Sequence, residues 1–245
     1  MKSEFAAYLL ALAFISGCSA APPSNPFRVA RSDIQAKVKT IALAPIQIAP
    51  EVENPAAVKR KFESLITAKL QAGGYKVIAS EEYNKSWNQA VEKLGAVFDP
   101  ATGKRDEKKF DAALEYTVRD VRQKTKADAL LVSALVRVQA DFYSNMAEWH
   151  GTTDYVRPEG VWATFSGPQA QGKVGALSLW VDLIDLDGPE LYVNFGGIQV
   201  TSKLYPGMKV VDVPYLEFFA EEAKNVRAVN IALNPLLGQP IPPSN

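Results

Sequence analysis

Apolar and polar positions along the chain fall into a succession of patterns, each of which dictates an element. Phe5 to Ile15 is an almost unbroken apolar run behind Lys2, 11 residues long, where spanning a bilayer as a helix takes roughly 20. Val38 to Ile48 is apolar at nearly every position, as a strand covered on both faces would be. Asn54 then offers a cap, Pro55 suits a first helical turn, and Val58, Phe62, Leu65, Ile66 and Leu70 recur at helical spacing. Gly73 and Gly74 follow that helix, whereas a phosphate cradle precedes one, so they read as its C-terminal cap. Tyr75 to Ala79 is a short strand and Glu81 to Leu94 a helix. A loop over 95–105, with Asp99, Pro100 and Gly103, leads to a third helix striped by Phe110, Ala113, Leu114, Thr117, Val118 and Val121. The charged face of that helix is a solvated one.

Ala129 to Val138 is a second buried strand, through Leu130, Leu131, Val132 and Leu135. Regular pattern stops near Asp141 and resumes at about Lys173. Leu177 to Val200 is a hairpin: Leu177, Leu179, Val181 and Leu183 form one face, Asp187 and Gly188 mark the turn, and Leu191, Val193 and Phe195 return. Pro214 opens a helix from Tyr215 to Leu233, and Pro235, Pro240, Pro242 and Pro243 mark a tail over 234–245. Helices interleaved with the early strands argue for parallel pairing, and the late hairpin adds antiparallel strands. The expected fold is an α/β three-layer sandwich with a mixed, mostly parallel sheet, helices on both faces and a C-terminal antiparallel hairpin plus helix. It forms one domain over 38–233, with an irregular insertion at 141–172 and no internal repeat.

The amino terminus changes the picture. A basic residue, a short apolar run and small residues form a signal peptide over 1–17, although Glu4 is an acid where such regions carry positive charge. Ile15, Ser16, Gly17 and Cys18 resemble the lipobox of bacterial lipoproteins. The resemblance implies a diacylglycerol thioether on Cys18 and cleavage just before it, and Ser19 resembles the outer-membrane members. One acyl chain binds a membrane only marginally, so the two or three chains of that class are what anchor stably. Residues 18–37, rich in Ala, Pro and Ser, read as a flexible tether.

Composition then narrows the chemistry. Cys18 is the only cysteine of the 245-residue chain, so a hydrophobic core and not a disulfide must hold the fold, and 47% hydrophobic residues suffice. Lys plus Arg equals Asp plus Glu at 27 each, which leaves no global field for nucleic acid. His150 is the single histidine, too few for an ordinary zinc site, and no Gly-x-Ser-x-Gly elbow accompanies it; it reads as a loop residue. Asp182, Asp185 and Asp187 lack calcium-loop spacing and read as flanking the hairpin turn. No metal, cofactor or catalytic residue is expected.

Several features together resemble the envelope lipoproteins whose α/β domain is shared by the curli-secretion lipoprotein CsgG, the polymerase activator LpoB and the amino-terminal domain of TolB. They are the first strand Lys39 to Pro45, the helix ending Leu70 to Val77, Ala127–Asp128–Ala129 before a buried strand, and the hairpin Leu179 to Gly197. The resemblance implies a non-catalytic module that binds other envelope proteins or self-associates.

The remaining candidate site is the 141–172 stretch, rich in aromatic side chains where disordered segments are poor in them. Trp149, Tyr155 and Trp162 either form part of a partner surface or pack as a satellite core. The expected function is therefore a lipid-anchored interaction module at the periplasmic face of the outer membrane, in assembly or regulation of an envelope complex. The alternatives are a subunit of an oligomeric secretion assembly, against which the Gly, Pro and charge breaks of 141–172 argue, and a peptidoglycan- or small-ligand-binding lipoprotein.

Overall fold

The computed structural model describes residues 25–48, 52, 54–157, 171–205 and 209–241. Cys18, the expected signal peptide over 1–17 and Trp162 lie outside the described residues. The elements run α1 (Arg31–Lys37), β1 (Thr40–Leu43), β2 (Gln47–Ile48), α2 (Pro55–Ala72), β3 (Lys76–Ile78), α3 (Ser80–Leu94), α4 (Glu107–Thr125) and β4 (Ala129–Tyr143). They continue with β5 (Met146–Trp149), β6 (Thr152–Tyr155), β7 (Gln171–Asp185), β8 (Glu190–Val200), β9 (Ser202–Tyr205), β10 (Lys209–Asp212), a 3-10 turn (Tyr215–Glu217) and α5 (Glu222–Leu237).

The sheet is mixed. β3, β1 and β4 pair in parallel, and β4, β7 and β8 pair antiparallel along the length of β7. Pro45 breaks the first strand, so its continuation β2 pairs separately with Ala134 and Leu135 of β4. Odd positions of β4, Ala129, Leu131 and Leu135, share a core with Leu179, Val181 and Leu183 of β7, with Phe62, Ile66 and Leu70 of α2, and with α5. Even positions, Leu130 and Val132, share another with Leu114, Val118 and Val121 of α4. Helices thus cover both faces, and β9 pairs with β10 in a separate two-stranded antiparallel sheet ahead of α5.

Local chemistry sets the ends. The Asn54 side chain accepts from the Ala57 amide at α2, and Gly74, at φ +89°, lets the chain leave α2 for β3. Asp128 accepts the amides of Lys39 and Thr40, both at 2.8 Å, and so ties the start of β1 to the start of β4.

Four expected boundaries are corrected. The tether does not reach Lys37: Phe27 bridges Tyr192 of β8, and α1 buries Ile34. The insertion is not irregular over 141–157, because β4 runs on to Tyr143 with Phe142 in and Tyr143 out, followed by β5 and β6. The last helix starts at Glu222 and not at Tyr215. Phe219 takes a left-handed φ of +62° while its amide donates to Gln199, which breaks the run. It ends at Leu237, since Pro235 lies within it and Leu236 is buried, so the tail begins after that residue.

Candidate functional site

Phe142, Tyr143 and Tyr155, described aromatic residues of the 141–172 stretch, gather at the end of the sheet where β4 and β6 finish and β5 begins, with Trp149 at the far end of β5. Here β4 alternates strictly, Val136, Val138, Ala140 and Phe142 buried against Arg137, Gln139, Asp141 and Tyr143 exposed. One face needs cover that no helix among the described residues supplies, and the β5–β6 hairpin supplies it. Its turn residues His150 and Gly151 both have positive φ, +43° and +73°, the combination of a tight two-residue hairpin turn. The hairpin folds back over β7 and β8. Trp149 is buried in this satellite core, its indole N–H donating to the Leu177 carbonyl at 3.2 Å. His150 Nδ1 lies 2.8 Å from Ser178 Oγ, and the ring stacks on Phe195 with centroids 4.4 Å apart. Asp154 accepts the Val200 amide at 3.0 Å and the ammonium of Lys224 at 3.3 Å, locking β6 to β8 and to α5.

Of the three residues expected to meet a partner, the structure therefore separates two. Trp149 is interior, and only Tyr155 is at the surface. The exposed neighbour that sequence reasoning missed is Tyr143, directly opposite Met146, which is in turn opposite Tyr155. The in-out alternation from Val136 onward was the signal that carried it.

The aspartate trio also divides. Asp185 accepts the Asp187 amide and pairs with Lys37, and Asp187 pairs with Arg122, all at the β7–β8 turn. Asp182 instead faces inward from β7, buried, with Oδ1 lacking a hydrogen-bond partner. Burial first, then the nearby Glu190 charge, push its carboxyl up to about 7, against the pull of Arg28. The His150–Ser178 pair has the reach of a base and a hydroxyl, and Ser178 is wholly enclosed. Among the described residues no group of three or more His, Cys, Asp or Glu could hold a metal ion, and no helix is long and apolar enough to cross a membrane.

The sequence matches no protein-family model and no curated protein. Among solved structures, it is similar to a PelC dodecamer from Paraburkholderia phytofirmans in two crystal forms. The identities are 15% and 14%, with 88% of this chain and 96% or 95% of that chain covered, at a TM-score of 0.36. It is also similar to a neuraminyllactose-binding hemagglutinin homolog from Helicobacter pylori, at 10% identity over 77% of this chain and 81% of that one, with a TM-score of 0.32. Likeness at this level transfers neither a partner nor an assembly.

Proposed function

We propose that the chain is a lipid-anchored, non-catalytic interaction module on the periplasmic face of a bacterial outer membrane, acting in assembly or regulation of a cell-envelope complex. The observation that carries this reading is the position of the only cysteine. Cys18 closes an apolar run too short to span a bilayer and follows Ile15, Ser16 and Gly17. Acylation there converts a secreted domain into a membrane-bound one without any further segment. The non-catalytic part of the reading is supported by where the reactive side chains sit: His150 and Ser178 are packed together in the interior, and Asp182 is enclosed.

The test is direct. Cys18→Ser protein expressed in bacteria is expected to lose metabolic palmitate labelling and to move from the membrane to the soluble fraction. Retention of both would overturn the anchor. Cross-linking of the acylated protein in cells, followed by identification of what is captured, addresses the interaction role; capture of nothing by a correctly acylated protein would count against it.

A further inference from the structure

The residues before α1 form a strap along the outer edge of β8. The Arg28 amide donates to the Leu191 carbonyl at 3.0 Å, and the Val193 amide donates to the Pro26 carbonyl at 2.9 Å. Phe27 bridges Tyr192 antiparallel, and the two rings meet with centroids 5.1 Å apart. An ion pair between Arg28 and Glu190 at 2.5 Å adds to this hold. A released strap would leave the Leu191 carbonyl and the Val193 amide unpaired on a sheet edge.

The pairing fixes which side chains share a face. Phe27 goes with Tyr192 into the core shared with α2 and α5, so its neighbour Arg28 faces the other way. Asp182, directly opposite Val193, and Glu190, directly opposite Ile184, lie on that other face. Two carboxyls and one guanidinium are thus set on three neighbouring strands. The charges that act on Asp182 are those of Glu190 and Arg28. Val132 of β4 lies opposite it, and α4 meets this face with Leu114, Val118 and Val121. At the β7–β8 turn, Lys37 pairs with Asp185 and Arg122 with Asp187. Asp182 is enclosed, and its Oδ1 has no hydrogen-bond partner.

Glu190 and Arg28 differ in one respect. Glu190 stays on β8 whether or not the strap is seated, so its repulsion of Asp182 is common to both states. Arg28 leaves with the strap. The strap lies two strands from β7, roughly 10 Å away, too far to do much of the burying of Asp182 but within range of a charge. The attraction between Arg28 and an ionised Asp182 therefore distinguishes the seated state. Being reciprocal, it holds the strap as much as it favours the charge.

We propose that Asp182, Glu190 and Arg28 form a latch, in which the charged form of Asp182 joins Glu190 in holding the Arg28 guanidinium and tightens the strap onto the edge of β8. With the strap seated, Arg28 makes Asp182 easier to ionise than with the strap released. The seated state therefore gains as pH rises through the range where Asp182 ionises and loses that gain as pH falls. The fold as a whole follows the opposite trend, because burial of the same carboxyl weakens it once charged.

Amide hydrogen exchange of the full-length protein reads the strap at the Arg28 and Val193 amides. It is followed by NMR at about pH 6 and about pH 8, each rate divided by the intrinsic rate at that pH. Asp182→Asn and Arg28→Gln are measured under the same conditions, which cancels any pH effect that does not pass through these two groups. Between the two pH values, protection of both amides is expected to rise about two- to fivefold more in the parent than in either variant. Amides of the β4–β7 ladder, which do not touch the strap, should show no such gain. The latch is overturned if the parent changes no differently from Asp182→Asn, if its strap protection falls, or if the ladder shares the gain. An equal gain in Arg28→Gln overturns it too, since the guanidinium would then not be what Asp182 holds. Exchange of both amides at the intrinsic rate at the higher pH would show no seated strap and have the same consequence.

Discussion

Gly196 and Gly197, adjacent in β8, face opposite sides of the sheet, and each is pressed by a different element. A methyl group on Gly196 would lie 2.0 Å from the Ala228 carbonyl oxygen of α5, and one on Gly197 would lie 2.1 Å from Cγ2 of Thr152 in β6. The missing side chains let a helix and a hairpin close on one strand from both faces.

Gly196→Ala meets backbone, which cannot rotate away, and is expected to destabilise by about 1–3 kcal/mol or more. Gly197→Ala meets chiefly a side-chain methyl. Combining it with Thr152→Ser removes that methyl and should recover part of the loss. Urea unfolding of the single and double variants measures the coupling; strictly additive effects would show that the two residues do not press on each other.

Asp182 makes stability depend on pH. Its folded-state value, about 7, stands above the ordinary 3.8, so the folded protein holds a proton that the unfolded chain has released. Stability is therefore greatest below that window and falls as pH rises through it, by an amount on the order of 4 kcal/mol if no other group compensates. Asp182→Asn is expected to flatten the decline between pH 5 and pH 8, values that bracket the upper part of this window. Parallel stability curves for parent and variant would refute the assignment.

Asp154 joins three elements. Replacing it with Ala leaves the buried Val200 amide without its acceptor and releases Lys224, with an expected loss of about 1–3 kcal/mol. Lys224→Ala should cost less, because the carboxylate keeps its amide bonds. Thermal unfolding of the two variants tests that order, and a larger loss for Lys224→Ala would contradict it.

Trp149 and Tyr155 should part company under substitution. Trp149→Ala empties a buried site and breaks the bond to Leu177, with an expected cost of about 3–5 kcal/mol. Tyr155→Ala, at the surface, should cost less than that. Equal melting temperatures for the two alanine variants would mean that the indole is not a core element.

The elements of the first half were legible because each rests on neighbours close in sequence: Asn54 and Pro55 open α2, Gly74 ends it, and the stripe Leu114, Val118, Val121 identifies α4. The alternation from Val136 to Phe142 also stood in the sequence, as did the Asp-Gly hairpin turn and the pattern that ends on Cys18. Only the tertiary structure decided what those patterns face. His150 meets Ser178, Trp149 meets Leu177, and Phe27 meets Tyr192 across large stretches of chain. Such long-range contacts make Trp149 a core residue and the residues before α1 a strap on β8, and enclosure by the fold is what raises the Asp182 carboxyl. Periodicity records which side of an element is apolar; it carries no record of which distant segment will cover it, and that choice sets both the burial of a side chain and the ionisation of a carboxyl group.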